Sequence, residues 1–175
     1  MVPIGRPVIP EINYGFGLSV GYKSIDFSFF FQGSAHSSFW IDPAAMSPFK
    51  QTSSGGQVLE TGLTQFIADS YWSEQSQNPY ARWPRLSNTI INNNMQSSTW
   101  FMEEGPFLRF KSAEMGYTLP QKAAERLKLS KARLYINGTN LLMFSRFKLW
   151  DVEMGGNGLN YPLQRVFNLG VNISF

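Results

Sequence analysis

Few residues of this 175-residue chain combine the type and the spacing that acid–base or covalent chemistry needs. His36, the single histidine, lies in a Ser-rich stretch and reads as a solvated loop residue. Glu103 and Glu104 are adjacent, so an extended backbone turns them to opposite sides and they cannot act as a pair. Asp151 and Glu153 do share a face at a spacing of two, which suits a Ca²⁺ ion or a glycosidase pair. The simpler reading is an acidic pair that organises its own loop. Cysteine is absent, which excludes disulfides, thiolate chemistry and Cys-based metal sites and leaves the redox compartment open. With no Gly-rich phosphate loop and no metal-spaced histidines, the expectation is a non-enzyme with no catalytic residue, metal or cofactor.

The aromatic residues in the polar stretches offer binding chemistry instead. Trp40, Trp72, Trp83, Trp100 and Trp150 can stack on sugar rings, anchor a protein partner, pack the loops together or form an interfacial belt. Trp83, Arg85, Trp100 and Trp150 are taken as candidate contacts for substrate or partner. Arg82 and Arg85 flank Trp83 and can either add hydrogen bonds to a ligand or pair with nearby carboxylates. The net charge of +3 comes from singly scattered basic residues, so no nucleic-acid footprint stands out. The Asn-x-Ser/Thr triplets at Asn137 and Asn172 fall inside expected strands and read as chance matches.

The elements that carry these residues follow period two. Tyr14, Phe16, Leu18, Val20 and Tyr22 alternate with Gly15, Gly17, Ser19, Gly21 and Lys23. One face is apolar with Tyr at both ends; the other is small or polar. That is the pattern of a membrane strand, because Tyr favours the lipid interfaces. Charged residues make up only 15% of the chain, against about 25% in ordinary globular domains. Further strands are expected at 25–33, where Ile25, Phe27, Phe29 and Phe31 share a face, and at 107–119, 132–140 and 165–175. In the third run Leu108 and Phe110 are out of phase with Ala113, Met115 and Tyr117, so a bulge or a membrane exit is expected near Lys111. Asn137-Gly138 is also a hairpin-turn signal, which makes the fourth strand the least secure. Residues 120–131 read as a short helical turn.

Stretches 34–106 and 141–163 read as long loops, the first with one short helix near Glu60–Tyr71. Long outer loops alternating with short inner turns, here 23–24 and 120–131, are the arrangement of bacterial membrane barrels. No apolar run is long enough for a transmembrane helix, but barrel strands need none. Five strands cannot close a barrel, and open edges leave backbone groups that lipid cannot satisfy. An outer-membrane protein also needs a signal peptide, and none is present at the start. The chain is therefore expected to be one piece of a longer protein.

The ending Asn168-Leu169-Gly170-Val171-Asn172-Ile173-Ser174-Phe175 resembles the C-terminal signal read by the barrel-assembly machinery, matching at Asn168, Gly170, Ile173 and Phe175. Further segments resemble, in order, the C-terminal region of SusC/RagA-family TonB-dependent transporters of Bacteroidetes. They are Gly33 closing the Phe-rich strand, Trp83-Pro84-Arg85-Leu86, Phe107 to Lys111 with Gly116 to Pro120, Tyr135 to Leu142, Trp150 to Glu153, and Tyr161-Pro162-Leu163. Val152 departs from the family, which usually has Pro there.

That resemblance implies an all-β fold: about five antiparallel transmembrane strands forming the C-terminal part of a 22-stranded outer-membrane barrel. It implies import of glycans or peptides with a SusD-like surface lipoprotein. The remaining strands, the plug and the TonB-contacting part would lie outside this chain, and outer-membrane lipid would surround it. A soluble all-β carbohydrate-binding module is the competing class. Such a sandwich needs one charged outer surface per sheet, whereas the runs at 14–22 and 165–175 pair an apolar face with a neutral one. A glycoside hydrolase ranks third, because Glu103 and Glu104 cannot pair and Asp151 and Glu153 read more simply as organising their own loop.

Overall fold

A computed structural model describes residues 4–54, 57–89 and 91–175. Its strands are β1 (Ile12–Tyr22), β2 (Ile25–Ala35), β3 (Ser38–Trp40), β4 (Gln51–Ser54), β5 (Gln57–Glu60), β6 (Met102–Glu104), β7 (Phe107–Thr118), β8 (Lys131–Ser145) and β9 (Val166–Ser174). Five of them form one antiparallel sheet in the order β1-β2-β7-β8-β9. Strand neighbours in sequence are therefore neighbours in space, with β3 to β6 looping out between β2 and β7.

Period two carries through the register. Phe16 pairs with Phe31 and Phe31 with Phe110; Leu18 pairs with Phe29 and Phe29 with Ala113; Leu134 joins Tyr117 to Val171. Phe16, Phe31 and Phe110 stack across three strands, with ring centroids 5.2 and 4.6 Å apart. The phase slip in β7 is a bulge: Phe30 and Phe31 of β2 face Ser112 and Phe110, so Lys111 is the extra residue against β2, while on the β8 side it lies opposite Asn140 and Leu141. The bulge is what brings Leu108 and Phe110 onto the face of Ala113, Met115 and Tyr117.

Among the described residues, nothing packs on this apolar face. Phe16, Leu18, Val20, Phe27, Ile136, Phe144, Leu169 and Val171 are all exposed. Burying one such side chain is worth roughly 1.5–3 kcal/mol, so leaving a whole sheet face in water forfeits on the order of tens of kcal/mol. From Tyr14 to Tyr22 the face extends about 26 Å along the strand, at roughly 3.3 Å per residue. That matches the apolar band of a membrane barrel, about 25 Å tall. β1 and β9 form the two edges of the sheet.

The hydrophobic core lies elsewhere, among the loops at one end of the sheet. Phe39, Ile41, Ile67, Trp83, Phe101, Phe107, Phe147 and Val152 are buried together. Stretch 34–106, expected as a loop with one helix near Glu60–Tyr71, instead holds β3, paired with β6, and the β4–β5 hairpin. It also holds α1 (Pro43–Met46), which is capped by the Asp42 carboxylate, and α2 (Gln65–Ala68). The expected helix is thus cut to one turn, and its first residue, Glu60, ends a strand. The turn at 120–131 contains α3 (Gln121–Arg126). β8 runs unbroken through Asn137-Gly138 to Ser145, so that dipeptide is not a turn. A side chain at residue 138 would strike Leu141 and Phe167, which explains a glycine in mid-strand.

Candidate functional site

The acidic pair of the second loop is already occupied. Arg109, 3% exposed on β7, places Nη2 2.7 Å from each Asp151 carboxylate oxygen and 2.6 Å from Glu153 Oε2. Asp151 also accepts from the Glu153 backbone N–H and so starts the turn at Val152–Met154. Val152, the departure from the family pattern, fills the core. The pair therefore ties its loop to the sheet, and the charge that a Ca²⁺ ion would meet is taken by the guanidinium. Arg109 lies 42 residues from Asp151 in sequence, and no local spacing signals the pairing. Glu103 and Glu104 have turned to separate arginines, Arg82 at 2.5 Å and Arg146 at 3.0 Å. His36 holds Glu11 at 3.0 Å.

The four candidate contact residues divide into two pairs. Trp83 is 4% exposed, with its ring 5.5 Å from that of Phe101. Trp150 packs edge-on to Phe147 and donates its indole N–H to the Gly155 carbonyl at 2.8 Å. Both build the loop core. Arg85 and Trp100 instead line one groove of about 470 Å³, together with Trp72, Asn93, Asn94 and Gln96. That volume is in the usual range for small-ligand sites.

Buried neighbours hold the groove in shape. Trp72 N–H donates to the Trp83 carbonyl and Trp83 N–H to the Ser70 carbonyl, so the two backbones run paired. Trp100 precedes the buried Phe101, which turns the Trp100 indole outward to 40% exposure. Arg85 reaches Glu74 at 3.3 Å with both side chains well exposed. Asn93 and Asn94 sit on a tight turn at Asn92–Met95. Two indoles, three amides and one solvated ion pair make a neutral, polar-aromatic surface.

On the polar face of the sheet, Arg133 pairs with Asp26 of β2 and, at 2.8 Å, with Glu114 of β7. Asn137 donates to Glu114, and Asn168 donates to Asn137 at 2.9 Å. Long side chains lie over glycines: residues 116 and 170 have room for a hydrogen only, because Arg133 and Tyr135 cross them. Gly170 and Asn168 of the terminal motif thus also have structural roles within the sheet. Ile173 lies exposed on β9 and Phe175 lies beyond its end, almost fully exposed.

No family model matches the chain. Over 99% of its length it is 29% identical to TonB-dependent receptor P26 of Formosa agariphila, and over 98% it is 26% identical to TonB-dependent receptor P3 of that organism. It spans 18% and 17% of those two proteins, less than a fifth of either. Among solved structures, the RagAB peptide transporter matches 98% of the chain with a TM-score of 0.71 at 24% identity, the chain covering 18% of it. The RagAB peptide importer in its closed-closed state matches the same share, with a TM-score of 0.69 at 22% identity. The resemblance to TonB-dependent receptors therefore runs through the whole chain in sequence, and the fold is that of one stretch of such a transporter barrel.

Proposed function

We propose that this chain is a five-strand stretch of the β-barrel of an outer-membrane TonB-dependent transporter of the SusC/RagA type. That transporter imports glycans or peptides together with a SusD-like surface lipoprotein. One observation carries the reading: an uncovered apolar face of bilayer height on a sheet whose two edge strands await partners. Lipid accounts for the face, and further strands of the same barrel account for the edges. The resemblance to TonB-dependent receptors supplies the transport class. The plug and the TonB-contacting part belong to regions outside this chain, and Asn168, Gly170, Ile173 and Phe175 serve as the signal to the barrel-assembly machinery.

The test is fractionation of cells that make the full native protein. This segment is identified by mass spectrometry, and gel mobility is compared before and after boiling. The expected result is recovery in the outer membrane within a much larger, heat-modifiable chain. A soluble species that stays folded without detergent would overturn the reading and favour a carbohydrate-binding sandwich.

A further inference from the structure

We propose that the short turns at the inner end of the sheet form a basic collar that binds anionic phospholipid headgroups. The proposal rests on the transporter reading, which turns this end toward the inner leaflet, and deepens it by naming a lipid partner. Residues 23–24 and 119–131 hold Lys23, Lys122, Arg126, Lys128 and Lys131 against one acidic side chain, Glu125. That excess of four exceeds the +3 of the whole chain, so the remainder is slightly acidic. The fold gathers these residues at one rim. Thr118 N–H donates to the Ser24 carbonyl at 2.7 Å, joining the β1–β2 turn to the end of β7. Ser130 N–H donates to the Ser174 carbonyl at 2.9 Å, holding the second turn against the end of β9. All five basic residues are exposed, and among the described residues none pairs with a carboxylate. Glu125 accepts instead from the Gln121 side-chain amide at 2.9 Å.

The position of the collar identifies its partner. Tyr22, Ile25, Tyr117, Leu134 and Val171 face one another across all five strands, in the last row of the apolar face that spans the sheet. Tyr22 and Tyr117 are exposed in that row, and tyrosine favours the depth at which hydrocarbon gives way to headgroups. Lys23 follows Tyr22 directly, with its ammonium 5.1 Å from the centre of the Tyr22 ring. Leu127, 60% exposed, stands between Arg126 and Lys128. An apolar side chain with a cation on either side suits the interface, where long basic side chains extend to the phosphates. α3 packs back on β8, with Ala124 and Ala132 both buried, which keeps this turn against the wall. A soluble acidic partner would need a rim that projects clear of the bilayer. This collar begins one residue beyond the tyrosine row, at the level of lipid phosphates. Each basic residue adds attraction to an anionic surface, and salt weakens the sum.

The experiment uses the purified full-length transporter in phosphatidylcholine bilayers. These are doped with a photoactivatable analogue of phosphatidylglycerol or, separately, of phosphatidylcholine, each with its reactive group next to the headgroup. Mass spectrometry counts the label in residues 119–131. The phosphatidylglycerol analogue is expected to label this segment about tenfold more at low salt, and high salt should shrink the excess. Lys122→Gln, Arg126→Gln and Lys128→Gln together should cut it to about twofold. Arg146→Gln with Lys148→Gln, at the outer end, should leave it unchanged. Equal labelling by the two analogues in the wild type overturns the proposal, as it would if the collar served an acidic protein. An excess that survives high salt or the three inner substitutions overturns it too. Failure of both analogues to label Tyr117 and Leu134 counts against the lipid-facing sheet itself, so the two failures are separable.

Discussion

The Tyr14 hydroxyl on β1 donates to the Phe107 carbonyl on β7, 3.1 Å away, across the whole width of β2. It reaches because the β2 residue opposite Tyr14 is Gly33. A methyl group there would strike the Tyr14 ring and sit 2.6 Å from the same Phe107 carbonyl. Three strands are thus fastened by one phenol lying in a glycine slot.

Gly33→Ala should therefore destabilise the sheet by about 1–3 kcal/mol, because the backbone oxygen cannot swing aside as a side chain would. Tyr14→Phe removes only the hydrogen bond and should cost about 1 kcal/mol. The temperature at which the full-length protein loses its heat-modifiable mobility measures both. Equal losses in the two variants would mean that the glycine slot is incidental.

Arg109 carries a second prediction. Arg109→Ala leaves Asp151 and Glu153 facing each other with no cation, and breaking such a pair from one side costs about 3 kcal/mol or more. The loop beyond β8 should open locally while the sheet persists. Trypsin cleavage after Lys148 should then speed up about a hundredfold, with mobility before boiling unchanged. Adding Asp151→Asn and Glu153→Gln should recover part of the protection, because the stranded charges are gone.

How much of this could be read from the chain depends on the range of the interactions involved. The strands are local: alternation at Tyr14–Tyr22 or Phe167–Ile173 needs only a pleated backbone and two different surroundings. The slip at Lys111 was visible too, as a change of parity within one run. Residue fates in the loops are set by distant partners. Trp83 and Trp100 look alike in sequence, yet one is buried against Phe101 and the other is turned outward by it. The one ligand-like acid spacing, Asp151 and Glu153, is answered by an arginine on another strand. Asn137-Gly138 carries a hairpin signal that pairing on both sides of β8 overrides.

The polar face supplies a third prediction. Arg133 bridges Asp26 and Glu114, so Asp26→Asn leaves it one carboxylate, whereas Arg133→Ala leaves two carboxylates without a cation. Thermal loss of heat-modifiable mobility should come earlier in Arg133→Ala than in Asp26→Asn. Moderate salt should narrow the gap, since these groups are partly solvated and screening reaches them. A gap that is the reverse of this, or that widens with salt, would remove the bridge from the account of the wall.

The last prediction sets the two faces of β9 against each other. Leu169 is 81% exposed on the apolar face, and its neighbour Asn168 turns to the polar face, where it donates to Asn137. If lipid covers the first face, an arginine at 169 loses its hydration, at about 2–4 kcal/mol near the bilayer midplane. At 168 the same substitution forfeits one amide hydrogen bond and leaves the new charge in a polar lumen, costing about 1 kcal/mol. Leu169→Arg should thus lower the temperature at which assembled protein loses its heat-modifiable mobility far more than Asn168→Arg does, a comparison made on assembled protein because Asn168 also belongs to the proposed assembly signal. A water-facing sheet predicts the opposite order, because there an arginine at 169 would relieve an exposed apolar patch. One pair of substitutions on adjacent residues therefore decides which solvent the apolar face meets.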